Sequence, residues 1–286
     1  HKMKQSHSLT YFLLLQCKFF LSSISNKSRH KISCFIANVL YNHFKIRKVL
    51  ARRNLKRAFP NWSDKKLDIV LRKNYLFFTE IFIDFISIPK SWEKIKVEVT
   101  GEKILKSFLT KGNGIIMISG HFGCWDILGK WLSEHSPLFT GVAQRQKNKG
   151  ADKFAIEQRE IPGTKHIFRK EPIEKMYDVL SKNGILGLIS DQDAKKRGVF
   201  VNFFNKLAST PKGAAIFHIN TNAPIILGVC IKISYQNYKI KLIPVDTSKK
   251  DIGFITQQYT TILENIIRRY PEQYFWFHRR WKSQPL

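Results

Sequence analysis

Residues 114–126 read Gly114-Ile-Ile-Met-Ile-Ser-Gly-His-Phe-Gly-Cys-Trp-Asp126. The first half of this segment is a short apolar run, which is typical of a strand buried on both faces of a sheet. The run leads directly to His121, and the glycines at 120 and 123 permit a sharp turn from strand into helix. Asp126 would then lie in the first turns of that helix. The pattern predicts a buried strand that delivers a histidine to the edge of a sheet.

Apolar runs and helical patterns alternate from residue 96 onward, which predicts an α/β fold with a mostly parallel central sheet flanked by helices. A second buried run leads directly to Asp191-Gln-Asp193, as the first leads to His121. Because parallel strands end at one edge of a sheet, these side chains should share that edge. Strands are predicted at 96–100, 114–119, 138–143, 185–190, 224–232 and 238–245. Helices are predicted at 64–86, 102–111, 124–135, 152–160, 172–183, 211–221 and 254–270.

The composition excludes a disordered or fibrous chain, because 43% of the 286 residues are hydrophobic. The formal net charge is +28, which indicates an anionic partner: nucleic acid, an acidic protein or a phosphate-bearing membrane surface. A simpler explanation for part of this charge is an AT-rich genome, which enriches its proteins in lysine. The four cysteines are scattered and form no C-x-x-C motif, so the sequence predicts neither a zinc site nor a disulfide framework.

The positive charge is concentrated at the start of the chain, where residues 1–63 contain 13 Lys and Arg and no Asp or Glu. The apolar run at 9–21 is shorter than the roughly 20 residues of a membrane-spanning helix. Residues 32–50 have the spacing of an amphipathic helix with a basic face. We therefore predict that residues 1–60 associate with an anionic membrane surface, ahead of a catalytic domain at 61–286. The alternative is a pair of ordinary surface helices.

His121 and Asp126 are candidates for acid–base chemistry. If His121 precedes the helix, Asp126 could hold one imidazole nitrogen and leave the other as a general base. The alternative is a helix-capping histidine beside a solvated carboxylate. Cys124 is a less favoured nucleophile, since a cysteine within an apolar helix is usually inert.

An ordered series of motifs resembles the lipid A biosynthesis acyltransferases, within the glycerolipid acyltransferase superfamily, over most of the chain. The sequence departs from the family pattern in having Gln144 where a tyrosine is common and Asn205 in place of a glycine. Many members also carry Glu at the position of Asp126. The matching segments are Arg53-Asn-Leu-Lys-Arg-Ala-Phe-Pro60, His121 to Asp126, Arg145 with Asn148, Arg159 with Gly163, Asp191 to Gly213, and Pro271 to Lys282.

This resemblance implies O-acyl transfer from a thioester donor to a hydroxyl of a lipid A precursor, at the cytoplasmic face of an inner membrane. It implies a catalytic pair of His121 and Asp126 and no metal or cofactor. The expected donor is acyl carrier protein. Transfer from acyl-CoA to another glycolipid or phospholipid is the alternative. A basic nucleic-acid-binding protein is a distant alternative, since it gives the catalytic pair no role.

Five further residues are predicted to contact substrate: Arg145, Arg159, Asp191, Asp193 and Thr210. The two guanidinium groups suit phosphates, sugar carboxylates or a developing oxyanion. Their alternative is an ion pair with a nearby acid such as Asp152. For the two aspartates, hydrogen bonding at the sheet edge is favoured over metal binding, because a third ligand is not evident nearby.

Overall fold

The computed structural model describes residues 4–136 and 138–284. Most of the chain is helix or strand, joined by short turns. The helices are α1 (Gln5–Ser23), α2 (Asn26–Val39), α3 (Lys48–Ala58), α4 (Asp64–Ile86), α5 (Glu102–Leu109), α6 (Trp125–His135), α7 (Lys149–Glu160), α8 (Glu174–Ser181), α9 (Gly213–Thr221) and α10 (Ile252–Arg269). The strands are β1 (Lys96–Thr100), β2 (Ile115–Ser119), β3 (Phe139–Ala143), β4 (Lys165–Phe168), β5 (Ile185–Ile189), β6 (Val199–Phe203), β7 (Lys206–Thr210), β8 (Ile225–Ser234) and β9 (Asn237–Pro244).

Seven strands form one sheet in the order β1-β9-β8-β2-β5-β3-β4. Every neighbouring pair is parallel except β8 and β9. The α/β fold with a mostly parallel sheet flanked by helices is therefore confirmed. The strand β2 lies at the centre, and all five of its residues are buried. Its side chains alternate between the two faces, so Ile116 and Ile118 pack in one core cluster while Ile115 and Met117 pack in the other.

All six predicted strands are present, and three strands were missed. Edge strand β4 has only four residues and a weakly apolar pattern, so its sequence gives little signal. Strands β6 and β7 form a separate antiparallel hairpin. Its two-residue turn is Phe204-Asn205, where both residues have positive φ. Asparagine tolerates that conformation, so Asn205 was the sequence feature that could have indicated this turn.

The predicted helix at 64–86 is confirmed with its boundaries. Ser63 is the N-cap, and its hydroxyl accepts a hydrogen bond from the backbone N–H of Lys66 at 3.3 Å. In contrast, the predicted amphipathic helix at 32–50 is wrong as a single helix. The chain leaves α2 through a short π turn, and Lys45 and Arg47 both adopt left-handed backbone conformations before α3 begins.

The N-terminal helices pack against the rest of the molecule. Helix α1 lies along α7, where Tyr11 donates to Glu157 at 2.7 Å and Lys18 donates to Gln158 at 2.5 Å. Buried Arg29 donates to the carbonyl oxygens of Leu21 and Ile24, which fixes the turn between α1 and α2. Among the described helices, none is long and apolar enough to cross a membrane. The division at residue 60 stays a prediction, and residues 1–3 and 285–286 of its two ranges lie outside the described residues.

Candidate active site

Two neighbouring strands bring His121 and Asp191 together at the edge of the sheet. Strand β2 pairs in parallel with β5, with Ser119 opposite Ile189. The pairing continues beyond the strands, because the backbone N–H of Ser190 donates to the carbonyl oxygen of Ser119 at 3.0 Å. His121 Nδ1 lies 2.7 Å from Asp191 Oδ1. The two residues are far apart in sequence, so the parallel register creates this pair.

The His121–Asp191 contact fixes the state of the imidazole. An ionised carboxylate only accepts hydrogen bonds, so Nδ1 carries the proton, and in the neutral imidazole Nε2 keeps its lone pair. Burial works to lower the pKa of His121, but the charge of Asp191 and the hydrogen bond to it outweigh this and raise the pKa. Burial works to raise the pKa of Asp191, but His121 outweighs it and lowers that pKa. The side chain of Asp191 is 3% exposed and that of His121 is 28% exposed, so the imidazole can be reached from solvent.

Asp126 makes a different contact from the expected one. It lies in the first turn of α6 and accepts a hydrogen bond from Arg159 Nε at 2.7 Å, as half of an ion pair. His121 instead donates from Nδ1 to Asp191 and, at a long 3.4 Å, accepts at Nε2 from the side-chain amide of Gln192. Asp126 still acts on His121 through its charge, which works to raise the imidazole pKa. The structure thus places the Asp126–Arg159 ion pair beside the hydrogen-bonded pair of His121 and Asp191.

The turn between β2 and α6 explains the separation of these two pairs. Gly123 has a φ of +62°, and a Cβ atom there would lie 2.0 Å from the carbonyl oxygen of Cys230. Glycine is therefore required where this turn crosses β8. The chain passes through this tight turn between His121 and the start of α6, and the two side chains find different partners.

Aromatic side chains and the C-terminal segment cover the imidazole. The backbone N–H of Phe275 donates to the carbonyl oxygen of His121 at 2.9 Å. The ring of Trp125 meets the imidazole edge-on, with centroids 5.5 Å apart, and the Phe275 ring centroid lies at 6.1 Å. An imidazole beside apolar walls is shielded from bulk water on those sides, which strengthens its interaction with Asp191.

A family model for the bacterial lipid A biosynthesis acyltransferases matches residues 1–283. The chain belongs to that family. It is 22% identical to the lipid A biosynthesis palmitoleoyltransferase of Escherichia coli over 85% of this chain and 81% of that protein. Its identity to the lipid A biosynthesis lauroyltransferase of the same organism is 22% over 90% and 86%.

A second group of relatives carries a different name. The chain is 29% identical to a phosphatidylinositol mannoside acyltransferase of Mycolicibacterium smegmatis over 62% of its own length. The chain spans 60% of the length of that protein. The resemblance to lipid A acyltransferases that the motifs predicted is thus confirmed, and the family also includes relatives named for another glycolipid.

The remaining predicted site residues of this family member have intramolecular partners. Arg145 forms an ion pair with Asp152 at 3.0 Å and stacks over the ring of Phe168, at 3.4 Å from its centroid. Arg145 therefore forms the ion pair with a nearby acid that was the alternative to substrate contact. Its side chain is still 56% exposed, so its outer nitrogen atoms are open to a ligand.

Asp193 and Thr210 contact the C-terminal segment. Asp193 Oδ2 accepts from the Ser283 hydroxyl at 3.0 Å, and the backbone N–H of Asp193 donates to His278 Nε2 at 3.2 Å. The hydroxyl of Thr210 is buried and accepts from Arg280 at 2.6 Å. Thr210 could therefore affect a substrate only through neighbouring groups, and its predicted contact with substrate stays a prediction.

Cys124 is buried at the start of α6, and burial raises the pKa of its thiol far above the ordinary range. A thiol in that state remains protonated at neutral pH and is a poor nucleophile. Sequence reasoning missed the contact of Asp191 with the base and the wall formed by Phe275. The contact of Asp191 with His121 could have been predicted from the expectation that both residues follow the ends of buried strands at one edge of the sheet.

Proposed function

We propose that this protein is an acyltransferase that moves a fatty acyl chain from a thioester to a hydroxyl group of a glycolipid, with His121 as the general base. The observation that carries the proposal is the contact of His121 Nδ1 with buried Asp191, which makes Nε2 the basic nitrogen of the neutral imidazole. That arrangement is what a hydroxyl nucleophile requires, since its proton must leave as the C–O bond forms. The names of the relatives support the same reaction class.

The reaction needs no enzyme nucleophile. Nε2 of His121 takes the proton from the acceptor hydroxyl while the hydroxyl oxygen attacks the thioester carbonyl carbon. The tetrahedral intermediate then collapses to an ester, and the C–S bond breaks. The imidazolium returns its proton to the departing thiolate. Asp191 keeps the Nδ1–H tautomer in place and stabilises the imidazolium.

Asp126 and Arg159 act as a unit in this proposal. The charge of Asp126 raises the pKa of the Arg159 guanidinium, and their hydrogen bond fixes the position of that group. The Arg159 charge is close enough to act on the pKa of His121. We therefore assign Arg159 to an anionic group of the substrate or to the developing oxyanion, with Asp126 holding it in position.

The acceptor is an anionic glycolipid in this proposal, and a lipid A precursor is the first candidate. The relatives named for lipid A cover more of this chain than the Mycolicibacterium smegmatis relative named for phosphatidylinositol mannoside does. The latter has the higher identity, which makes a mannosylated phospholipid the second candidate. Both classes carry phosphate, which suits the exposed Arg145. The donor is acyl carrier protein, with acyl-CoA as the alternative.

Helix α1 is the proposed contact with the cytoplasmic face of an inner membrane. Five of its apolar side chains are more than half exposed: Leu9, Phe12, Leu13, Phe19 and Phe20. They recur at spacings of one to six residues, while Tyr11 and Lys18 face α7. A helix held flat on its domain with an exposed apolar stripe suits binding in the plane of the headgroups. Replacing Phe12, Phe19 and Phe20 by Asn should reduce sedimentation with anionic vesicles, and unchanged sedimentation would contradict this contact.

The central experiment measures acyl transfer from labelled acyl-acyl carrier protein and acyl-CoA to a lipid A precursor and to a mannosylated phosphatidylinositol. The wild-type protein should acylate one of these acceptors, and His121→Ala should abolish transfer. His43→Ala replaces an exposed histidine and serves as the matched control. Full activity of His121→Ala, at matched circular dichroism spectra, would overturn the assignment. Mass spectrometry of lipids from cells with and without the protein then identifies the natural acceptor.

A further inference from the structure

Helix α3 has two faces of opposite character. One face is buried and consists of Ala51, Asn54, Leu55 and Ala58. Asn54 donates to the carbonyl oxygens of Trp276 at 2.8 Å and His278 at 2.6 Å, so this face fastens the helix to the C-terminal segment. Packing therefore accounts for Asn54, Leu55, Ala58 and Phe59 of the Arg53–Pro60 motif, whereas Arg53, Lys56, Arg57 and Pro60 are exposed.

The other face of α3 borders an open groove of about 590 Å³. Five cations line it, Arg52, Arg53, Lys56, Arg57 and Lys206, together with Val49. Arg52 forms an exposed ion pair with Asp64 at 2.9 Å. Within residues 4–136 and 138–284, the side chains of Arg53 and Lys206 have neither an ion pair nor a hydrogen bond. The groove thus holds an excess of positive charge that its own surroundings do not neutralise.

We propose that this groove docks a small acidic protein that carries the acyl thioester, a proposal that rests on the proposed function. The groove is too large for one phosphate group, since four of its cations lie along about one and a half turns of α3 and the fifth, Lys206, lies on β7. Such a surface fits a row of carboxylates on a folded partner. Val49 is 82% exposed at the same surface and offers an apolar anchor within the charged rim.

The C-terminal segment connects the groove with the proposed general base, because it contacts residues of both. The guanidinium of Arg57 stacks over Trp281, at 5.7 Å from the ring centroid. In the same segment, His278 accepts from the backbone N–H of Asp193, and Phe275 donates to the carbonyl oxygen of His121. A carrier bound at α3 would therefore contact the same C-terminal segment that covers His121.

The apolar stripe of α1 and the groove lie at opposite ends of α4. Arg52 pairs with Asp64 at the first residue of α4, whereas Leu21 packs with Ile83 and Ile86 near its last turn. At 1.5 Å per residue, Asp64 and Ile83 are about 28 Å apart along the helix axis. This separation favours a protein partner at α3 over the membrane surface proposed for α1.

The test compares Arg53→Glu/Lys206→Glu with Lys94→Glu/Lys103→Glu, a matched reversal of two exposed lysines elsewhere. Fluorescence anisotropy with labelled acyl-acyl carrier protein should show that the Kd of the first double variant is about tenfold higher or more than that of the wild type. The Kd of this variant should also depend less on salt concentration. The control should bind as the wild type does. Transfer from acyl-pantetheine, a neutral small thioester, should be unchanged in both variants.

Three outcomes would overturn the docking surface: unchanged carrier affinity, an equal loss with carrier and with acyl-pantetheine, or a loss confined to phosphatidylglycerol vesicles or RNA. Failure of the proposed function gives a different result. In that case the wild-type protein would transfer no acyl chain from any donor, while the anisotropy comparison would still decide whether the groove binds the carrier.

Discussion

Two carboxylates near the start of α6 have opposite properties. Asp191 is almost fully buried and hydrogen-bonded to His121, and its pKa is lowered. The carboxylate of Asp84 has no hydrogen-bond partner among the described residues, and burial raises its pKa to about 6. Burial acts in the same direction on both groups. The difference shows that the nearby imidazole, and not the depth of burial, keeps Asp191 ionised.

The surroundings of Asp84 are apolar and tight. It lines a cavity of about 20 Å³ with Phe85, Trp92, Cys124 and Trp125, which is room for little more than one water molecule. Lys232 lowers its pKa by charge, but that lysine is already paired with Glu80 at 2.7 Å. The protein thus keeps one ionised carboxylate in contact with His121 and a second carboxylate with a pKa of about 6.

The largest expected effect comes from removing the charge of Asp191. Asp191→Asn should lower kcat by about 10³–10⁴-fold, because the amide cannot stabilise the imidazolium. It should also lower the pKa of His121, since the Asp191 charge raises it. The acid limb of the residual pH–rate profile should therefore move to lower pH. Kinetics from pH 5 to 9 measure both effects.

The control for this variant is Asp178→Asn, which replaces an exposed aspartate. The double variant His121→Ala/Asp191→Asn should be no slower than His121→Ala alone, because the two residues act as one unit. An acid limb that stays in place in Asp191→Asn would show that another group sets the pKa of the base.

The next largest effect concerns Asp126, which is hydrogen-bonded to Arg159. Asp126→Asn should lower kcat/KM by about 10²-fold through misplacement of Arg159, while Asp126→Glu should keep much more activity. A double-mutant cycle with Arg159→Gln should show strong non-additivity. Direct action on His121 makes a different prediction. In that case Asp126→Asn would move the acid limb as far as Asp191→Asn does.

The sequence predicted where the two strands end, but it did not predict which side chains contact each other there. The apolar runs before His121 and Asp191 identified two buried strands, and the parallel fold put their ends at one edge. Which carboxylate contacts the imidazole depends on the β2–β5 register and on the turn at Gly123, where the backbone of β8 leaves no room for a side chain. Neither is encoded in residue spacing, so Asp126 was the expected partner.

A smaller effect on stability is expected from Asp84→Asn. The folded-state pKa of about 6 exceeds the ordinary 3.8, so the folded protein binds more protons than the unfolded chain between these values. Stability should fall as pH rises from about 4 to 6, by up to about 3 kcal/mol. The asparagine variant lacks this titration. Its free energy of unfolding should exceed that of the wild type by about 3 kcal/mol at pH 8 and by less than about 1 kcal/mol at pH 4.

Urea unfolding at the two pH values measures this difference. An equal change at pH 4 and pH 8 would mean that packing of the amide, and not charge, is responsible. Activity should change little, because Asp84 is paired with neither His121 nor Arg159 in the structure.

The smallest expected effect on catalysis comes from Cys124→Ser, in the same cavity wall as Asp84. If the acceptor hydroxyl attacks the thioester directly, the rate per folded molecule should stay within about twofold of the wild type, because the thiol takes no part in any proton transfer. Placing a hydroxyl at this buried position should still lower stability by about 1–3 kcal/mol if it finds no partner. An acyl-enzyme route requires the reverse: an inactive variant and an acyl group on Cys124 of the wild-type protein, visible by mass spectrometry after a single turnover. Burial of the thiol argues against that route, since a protonated sulfur beside apolar rings gains no nucleophilicity from the His121–Asp191 pair.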